Sequence, residues 1–268
     1  MKELLQKINW EVCQKQVKIT GLHHDSLKAL YRNDNSMLLS IRSAKYRTFK
    51  NADMMQLVDR LTQSGKFSSE GYAEFLGGKR ILAYLKNNQL DLQLAGLPVK
   101  EYLLIGNSHD ASSKIFIGTA NTLIRCNNQF SKKLRVFELN HTRALEFTDD
   151  ELQQFLKTYE MGRAQLYSQM EKLKKVRVNT DAIDELLNRL LREAANEQKN
   201  IFSESRQLLK TAIQHETAEL GMNAWGLLNG VTWYTSHDLR NASVTLGSVG
   251  GRAAELNRKA FDFCMNLN

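Results

Sequence analysis

Two rhythms of apolar and polar positions divide the chain. From about residue 36 to 140 the apolar residues come in short runs broken by turn formers, and from Thr148 onward they recur near the helical period. In the first part, "SMLLSIRSAKYRTF" alternates loosely and leads into "NADMMQLVDRLTQSG". There Met54, Leu57, Val58 and Leu61 share one helical face, with Asn51 as a candidate N-cap and Gly65 as a stop, which predicts a short amphipathic helix. The stretches "EGYAEFLGGKRILAYLK", "QLDLQLAGLPVKEYLLIGNS", "KIFIGTANTLIRCNN" and "KKLRVFELNHT" follow, separated by Gly-Gly, Asn-Asn and Ser-rich turn signals. They predict an antiparallel sheet of roughly four to six strands.

The second part is helical. Thr148 and Glu151 form a capping box ahead of a periodic run through Leu152, Phe155, Leu156, Tyr159, Tyr167, Met170 and Leu173. Ile183, Leu186, Leu187, Leu190 and Leu191 predict a second helix capped by Thr180, and Leu208, Leu209, Ala212 and Ile213 a third. "MNAWGLLNGVTWYTSH" and "GRAAELNRKAFDFCMN" predict two more, the first with small residues Ala224, Gly226 and Gly230 for close packing and Trp225 and Trp233 as anchors. The expected class is α+β: a β-rich basic core over 1–147 and a helical region over 148–268 packing on it, or one continuous domain.

Composition narrows the partners. The chain has 268 residues, a net charge of +8 and a pI near 9.3, a balance that favours polyanions. Its three cysteines are scattered with no CxxC spacing, and "MKELLQKINWEV" has no apolar core of a leader peptide. No stretch approaches the ~18 apolar residues of a membrane span. The expectation is a cytoplasmic protein with no membrane association.

Candidate chemistry centres on a repeated tripeptide, Ser108-His109-Asp110 and Ser236-His237-Asp238. Neighbouring side chains diverge, so three consecutive residues cannot form a hydrogen-bonded catalytic line. A metal-dependent hydrolase would draw on His109, Asp110, His141, His237 and Asp238, but none of them has the close spacing of a metal site. No catalytic residue is therefore assigned, and Ser and Asp at a strand end are expected to shape a turn instead. No GxxxxGK[ST] loop occurs, so no nucleotide cofactor is expected.

The stronger signal is cationic. "RSAKYRTFK" holds Arg42, Lys45, Arg47 and Lys50 without an acid, interleaved with Tyr46 and Phe49. Lys79, Arg80, Lys114, Arg125, Lys132 and Arg135 extend the pattern along the later strands. Phosphate neutralisation by these cations, with Tyr46 and Phe49 stacking on bases, is the way single strands are bound without base readout.

Three stretches then occur in a telling order: "NSHDASSKIFIGTANTLIRCNN", "ELNHT", and "AWGLLNGVTWYTSHD" with its Trp-Gly and Val-Thr-x-Tyr elements. They resemble the phage/plasmid-like family of unknown function numbered nine hundred and thirty-two, over roughly residues 30–240. Ala111 stands where that family tends to have Gly. The resemblance implies a mobile-element neighbourhood of recombination and anti-defence, with no established chemistry. The leading expectation is a non-enzymatic single-stranded DNA-binding protein that anneals strands without ATP and forms a homo-oligomer. The alternatives are an inhibitor that binds a host defence or restriction enzyme, and the metal-dependent hydrolase.

Overall fold

A computed structural model of the chain describes residues 8–17, 27–123, 129–139, 148–191, 199–239 and 251–267. Among the described residues, strands and one short α-helix occupy the chain up to residue 139 and helices follow from 149, so the protein is α+β as the two rhythms predict. The strands are β1 (Val12–Gln16), β2 (Leu27–Arg32), β3 (Leu38–Ser43), β4 (Phe67–Phe75), β5 (Arg80–Asn87), β6 (Gln93–Leu94), β7 (Leu97–Ser108), β8 (Ile115–Leu123) and β9 (Gln129–Leu139). The helices are α1 (Asn51–Gln63), α2 (Asp149–Lys175), α3 (Thr180–Leu190), α4 (Lys199–Leu220), α5 (Ala224–His237) and α6 (Gly251–Met265). One sheet has the order β1-β2-β3; in the other, β4-β5-β7-β8-β9 lie side by side and β6 pairs with β7. β1 and β2 precede residue 36, in a stretch where Lys, Gln and Arg mask the alternation.

The chain divides into two compact units that interleave in sequence. One comprises Met1–Leu90, Glu101–Thr119 and Lys133–Met161; the other comprises Asp91–Lys100, Ala120–Lys132 and Gly162–Asn268.

In the first unit, residues 81–85 of β5 are all buried, the continuous run of a central strand covered on both faces. α1 lays Met54, Leu57, Val58 and Leu61 into a core with Ile81, Ala83, Leu85, Leu103 and Ile105, which Phe155 and Tyr159 of α2 complete. Glu101 is buried in the same unit, where Asn87 Nδ2 donates to its Oε1 at 2.7 Å and the Tyr159 hydroxyl donates to the same oxygen. A buried carboxylate needs such donors, since an unpaired one would leave the core. Asn51 does not cap α1. Lys50 takes the capping position, its N–H held by the Asp53 carboxylate at 2.8 Å, and Asn51 is the first helical residue with its side chain turned inward. The α2 capping box forms as read: Thr148 N–H donates to Glu151 Oε2 at 3.0 Å, and Glu151 N–H to Thr148 Oγ1 at 3.2 Å.

In the second unit the later half of α2 contributes Leu166, Met170 and Leu173 to a core shared with α3, α4, α5 and α6. α3 is capped one residue earlier than expected, by Asn179, whose side chain accepts from Ala182 N–H at 2.9 Å; Thr180 is already helical. α5 is buried along most of its length. Its glycines let it meet α4 at backbone distance: a Cβ on Gly230 would lie 2.4 Å from Ile213 Cα, and one on Gly226 3.1 Å from Thr217 Cα. The two glycines are one helical turn apart and share a face, the close packing that the small residues predict. Burial in this bundle pushes the Cys264 thiol up to about 12. No described helix is long and apolar enough to cross a membrane.

Candidate nucleic-acid interface

A strand that ends inside a core leaves carbonyls without ladder partners, and these must find donors. The end of β7 meets this demand in the first Ser-His-Asp tripeptide. The Tyr46 hydroxyl donates to the Ser108 carbonyl at 3.1 Å, Ser40 Oγ to the His109 carbonyl at 2.7 Å, and Arg42 Nη2 to the Asp110 carbonyl. In the other direction, His109 N–H donates to the Lys79 carbonyl at 2.7 Å and Asn107 Nδ2 to the Phe49 carbonyl at 2.9 Å. His109 Nε2 lies 3.1 Å from Asn51 Oδ1, and Asn51 Nδ2 donates to the Trp10 carbonyl at 2.7 Å. One turn thus fastens the N-terminal segment, β3, the start of α1 and the start of β5.

The turn itself closes with local bonds. Ser108 Oγ donates to the Ser113 carbonyl at 2.7 Å, Asp110 Oδ1 accepts from Ser112 N–H at 3.0 Å, and Arg80 Nε donates to Ser112 Oγ at 2.9 Å. This is the turn-shaping use of Ser and Asp that the sequence suggests. Ala111 keeps a positive φ of 51° within it, so the glycine-like backbone persists although the residue is not glycine.

Trp10 seals one side of the brace. Its ring meets His109 edge-on at 5.7 Å, carries the Arg32 guanidinium 4.1 Å above its centroid, and donates through Nε1 to Glu74 Oε2 at 2.7 Å. Arg32 is bonded to Asp34 through two nitrogens, at 2.8 and 2.7 Å, and also to Glu74. These hydrogen bonds hold the Asp34 carboxyl below the ordinary aspartate range. The tight fit requires glycine at 78, where φ is +93° and a Cβ would lie 2.5 Å from the Trp10 ring. Lys28 and Arg32 carry no sequence signal beyond the alternation of charged and apolar residues in "LKALYR", and Trp10 carries none.

The predicted phosphate ligands fall around this turn. Lys45, Arg47 and Lys114 are exposed, and Lys79 and Arg80 are half-buried. Lys45, Arg47, Lys79 and Arg80 lie on segments 40–51 and 79–80, which are bonded to the end of β7, and Lys114 directly follows the turn. The aromatic part of the expectation needs correction. Tyr46 and Phe49 are 8% and 1% exposed, Tyr46 with its hydroxyl on Ser108 and Phe49 in the core beside α1, so neither ring has a face open to a base. Burial, more than the neighbouring Asp110, raises the Tyr46 hydroxyl well above the ordinary tyrosine range, and Arg42 opposes that rise. Arg125 and His141 lie outside the described residues. Lys132 and Arg135 fall on β9, whose side chains are likewise outside the description.

The second tripeptide is placed otherwise. Ser236-His237-Asp238 closes α5, where His237 is exposed, sets Nδ1 2.9 Å from the Trp233 carbonyl and stacks on the Trp233 ring at 4.7 Å. Among the described residues no three His, Cys, Asp or Glu side chains gather as a metal site, and His109 and His237 belong to different compact units.

Neither a curated protein nor a solved structure matches the chain. A family model does, over residues 38–261, which takes in both tripeptides and the α4–α5 contact: the chain belongs to the family described as a domain of unknown function, DUF932.

Proposed function

We propose that this protein binds single-stranded DNA in the cytoplasm, without ATP and without catalysis, as a strand-annealing or recombination factor of a phage or other mobile element. The observation that carries the reading is the convergence of Lys45, Arg47, Lys79, Arg80 and Lys114 on segments fastened to one turn. A rigid brace is what a phosphate-binding surface needs, because ordering long cationic side chains on a mobile loop costs entropy at each contact. Arg125, Lys132 and Arg135 belong to the proposal on sequence grounds alone. With Tyr46 and Phe49 in the core, binding rests on charge more than on stacking. Log affinity for a fluorescent oligothymidylate should therefore fall with log salt at about −0.7 per phosphate contact. An absence of binding at both a low and a moderate salt concentration would sink the proposal. Particle mass measured with and without the oligonucleotide tests the homo-oligomer that annealing requires.

One feature favours a second reading, an inhibitor that acts by binding a host defence or restriction enzyme. Leu38 and Ile41 are 51% and 48% exposed on β3, facing Tyr31 and Ala29 across the ladder. Exposed apolar side chains grouped on a sheet face suit a protein partner. This reading expects a stable complex with a purified restriction enzyme that survives Arg47→Gln and is lost in Leu38→Ser/Ile41→Ser. The opposite pattern counts against it.

A further inference from the structure

The three-stranded sheet carries a charge arrangement that folding does not call for. Lys28 of β2 stands directly opposite Arg42 of β3 in the antiparallel register. Like charges at facing positions destabilise a ladder. Arg47 adds a third: burial first, and the Arg47 charge after it, hold the Lys28 ammonium below the ordinary lysine range.

Alternate residues of a strand share a face, so Lys28 and Arg42 point the same way as the next facing pair along the ladder, Leu30 and Ser40. Ser40 reaches the His109 carbonyl and Arg42 the Asp110 carbonyl, which places the cluster at the braced turn. Arg42 has one nitrogen on Asp110; its Nε is buried with no hydrogen-bond partner among the described residues. None of the three cations forms an ion pair with a carboxylate among the described residues. Asp110, the acid that opposes Arg42 on the Tyr46 hydroxyl, has its Oδ1 engaged by Ser112 N–H.

Two guanidinium groups and an ammonium, with Lys28 and Arg42 half-buried and none of the three paired with a carboxylate among the described residues, match the donor set that surrounds a phosphate. We infer that Lys28, Arg42 and Arg47 form a seat for one phosphate group, occupied by a phosphodiester of the bound strand. This inference rests on the single-strand reading above and gives it an anchoring contact. The repulsion within the cluster is tolerated because the ligand neutralises it.

The test uses the full chain, with Lys28→Gln, Arg47→Gln and the conservative Lys28→Arg. Each is titrated with fluorescent oligothymidylate at two salt concentrations and melted with and without inorganic phosphate. Lys28→Gln and Arg47→Gln should each weaken oligonucleotide binding about tenfold and flatten the salt slope by about 0.7, while Lys28→Arg retains both. Their ligand-free melting temperatures should hold or rise, since a like charge has been removed. If the wild type binds the oligonucleotide and both glutamine variants keep its affinity and slope, the seat is overturned and the wider reading stands. If the wild type ignores the oligonucleotide but is stabilised by phosphate, and Lys28→Gln abolishes that stabilisation, the seat stands and single-strand binding falls. Indifference to both ligands, or a lower ligand-free melting temperature in Lys28→Gln, overturns the seat.

Discussion

The two Ser-His-Asp tripeptides contain the same side chains and do opposite things. At the end of β7 the backbone is extended, its carbonyls have run out of ladder partners, and Ser40 and Arg42 of β3 with Tyr46 beyond it supply the missing donors. At the end of α5 the helix already satisfies most of its own carbonyls, and His237 turns back onto Trp233 of the same helix. The first tripeptide is wholly buried at His109; the second is exposed at His237. The lesson is that a polar tripeptide takes its role from the backbone groups its surroundings leave unsatisfied, and not from its own chemistry. The buried histidine holds segments in place, and the exposed one finishes a helix.

The largest effect should come from the contact that holds the helix of the second tripeptide. Gly230→Ala puts a methyl where Ile213 Cα lies 2.4 Å from the Cβ position, so α4 and α5 must separate. A loss of about 3 kcal/mol is expected in chemical denaturation, at the upper end for an overpacked core. A variant of wild-type stability would mean that α5 does not rest on α4 in this way. His109→Ala comes next. It removes the partner of Asn51 and the edge contact to Trp10, at about 2–3 kcal/mol. In a double-mutant cycle with Asn51→Ala the two losses should be clearly less than additive, since both break one connection.

The same contrast separates what was legible in the sequence from what was not. Helix positions and the Thr148–Glu151 capping box were legible, because each depends on residues within a turn or two of one another. The sheet, too, announced itself through turn signals between apolar runs. The brace was hidden because every bond in it joins distant segments. Asn51 has the chemistry of an N-cap, yet its amide serves Trp10 and His109 from far along the chain. The interleaving of Tyr46 and Phe49 with cations suggests stacking faces but gives no sign of which side of the segment meets the core, and both rings are buried. Lys28 and Arg42 become neighbours only through the β2–β3 register, which no local pattern fixes.

Smaller substitutions sharpen the comparison. Ala111 holds a left-handed backbone in the first turn, a conformation that costs a residue with a Cβ and not glycine. Ala111→Gly relieves that strain while loosening the unfolded chain, and the net gain should be roughly 0.5–1 kcal/mol in denaturant midpoint terms. A loss of stability would show that the methyl packs, and that the departure from glycine is compensated in the folded state.

The smallest effect should come from the second tripeptide. His237→Ala removes an exposed ring whose contacts lie within its own helix, on Trp233. The change should fall within about 0.5 kcal/mol, the range of a surface substitution. The measurement is the same denaturation curve used for His109→Ala, taken in the same buffer. If the two histidines cost alike, equal burial or equal bonding must hold them, and the separation of roles drawn from their backbones would fail. If His109 costs several times more, the identical tripeptides are distinguished by their place in the fold alone.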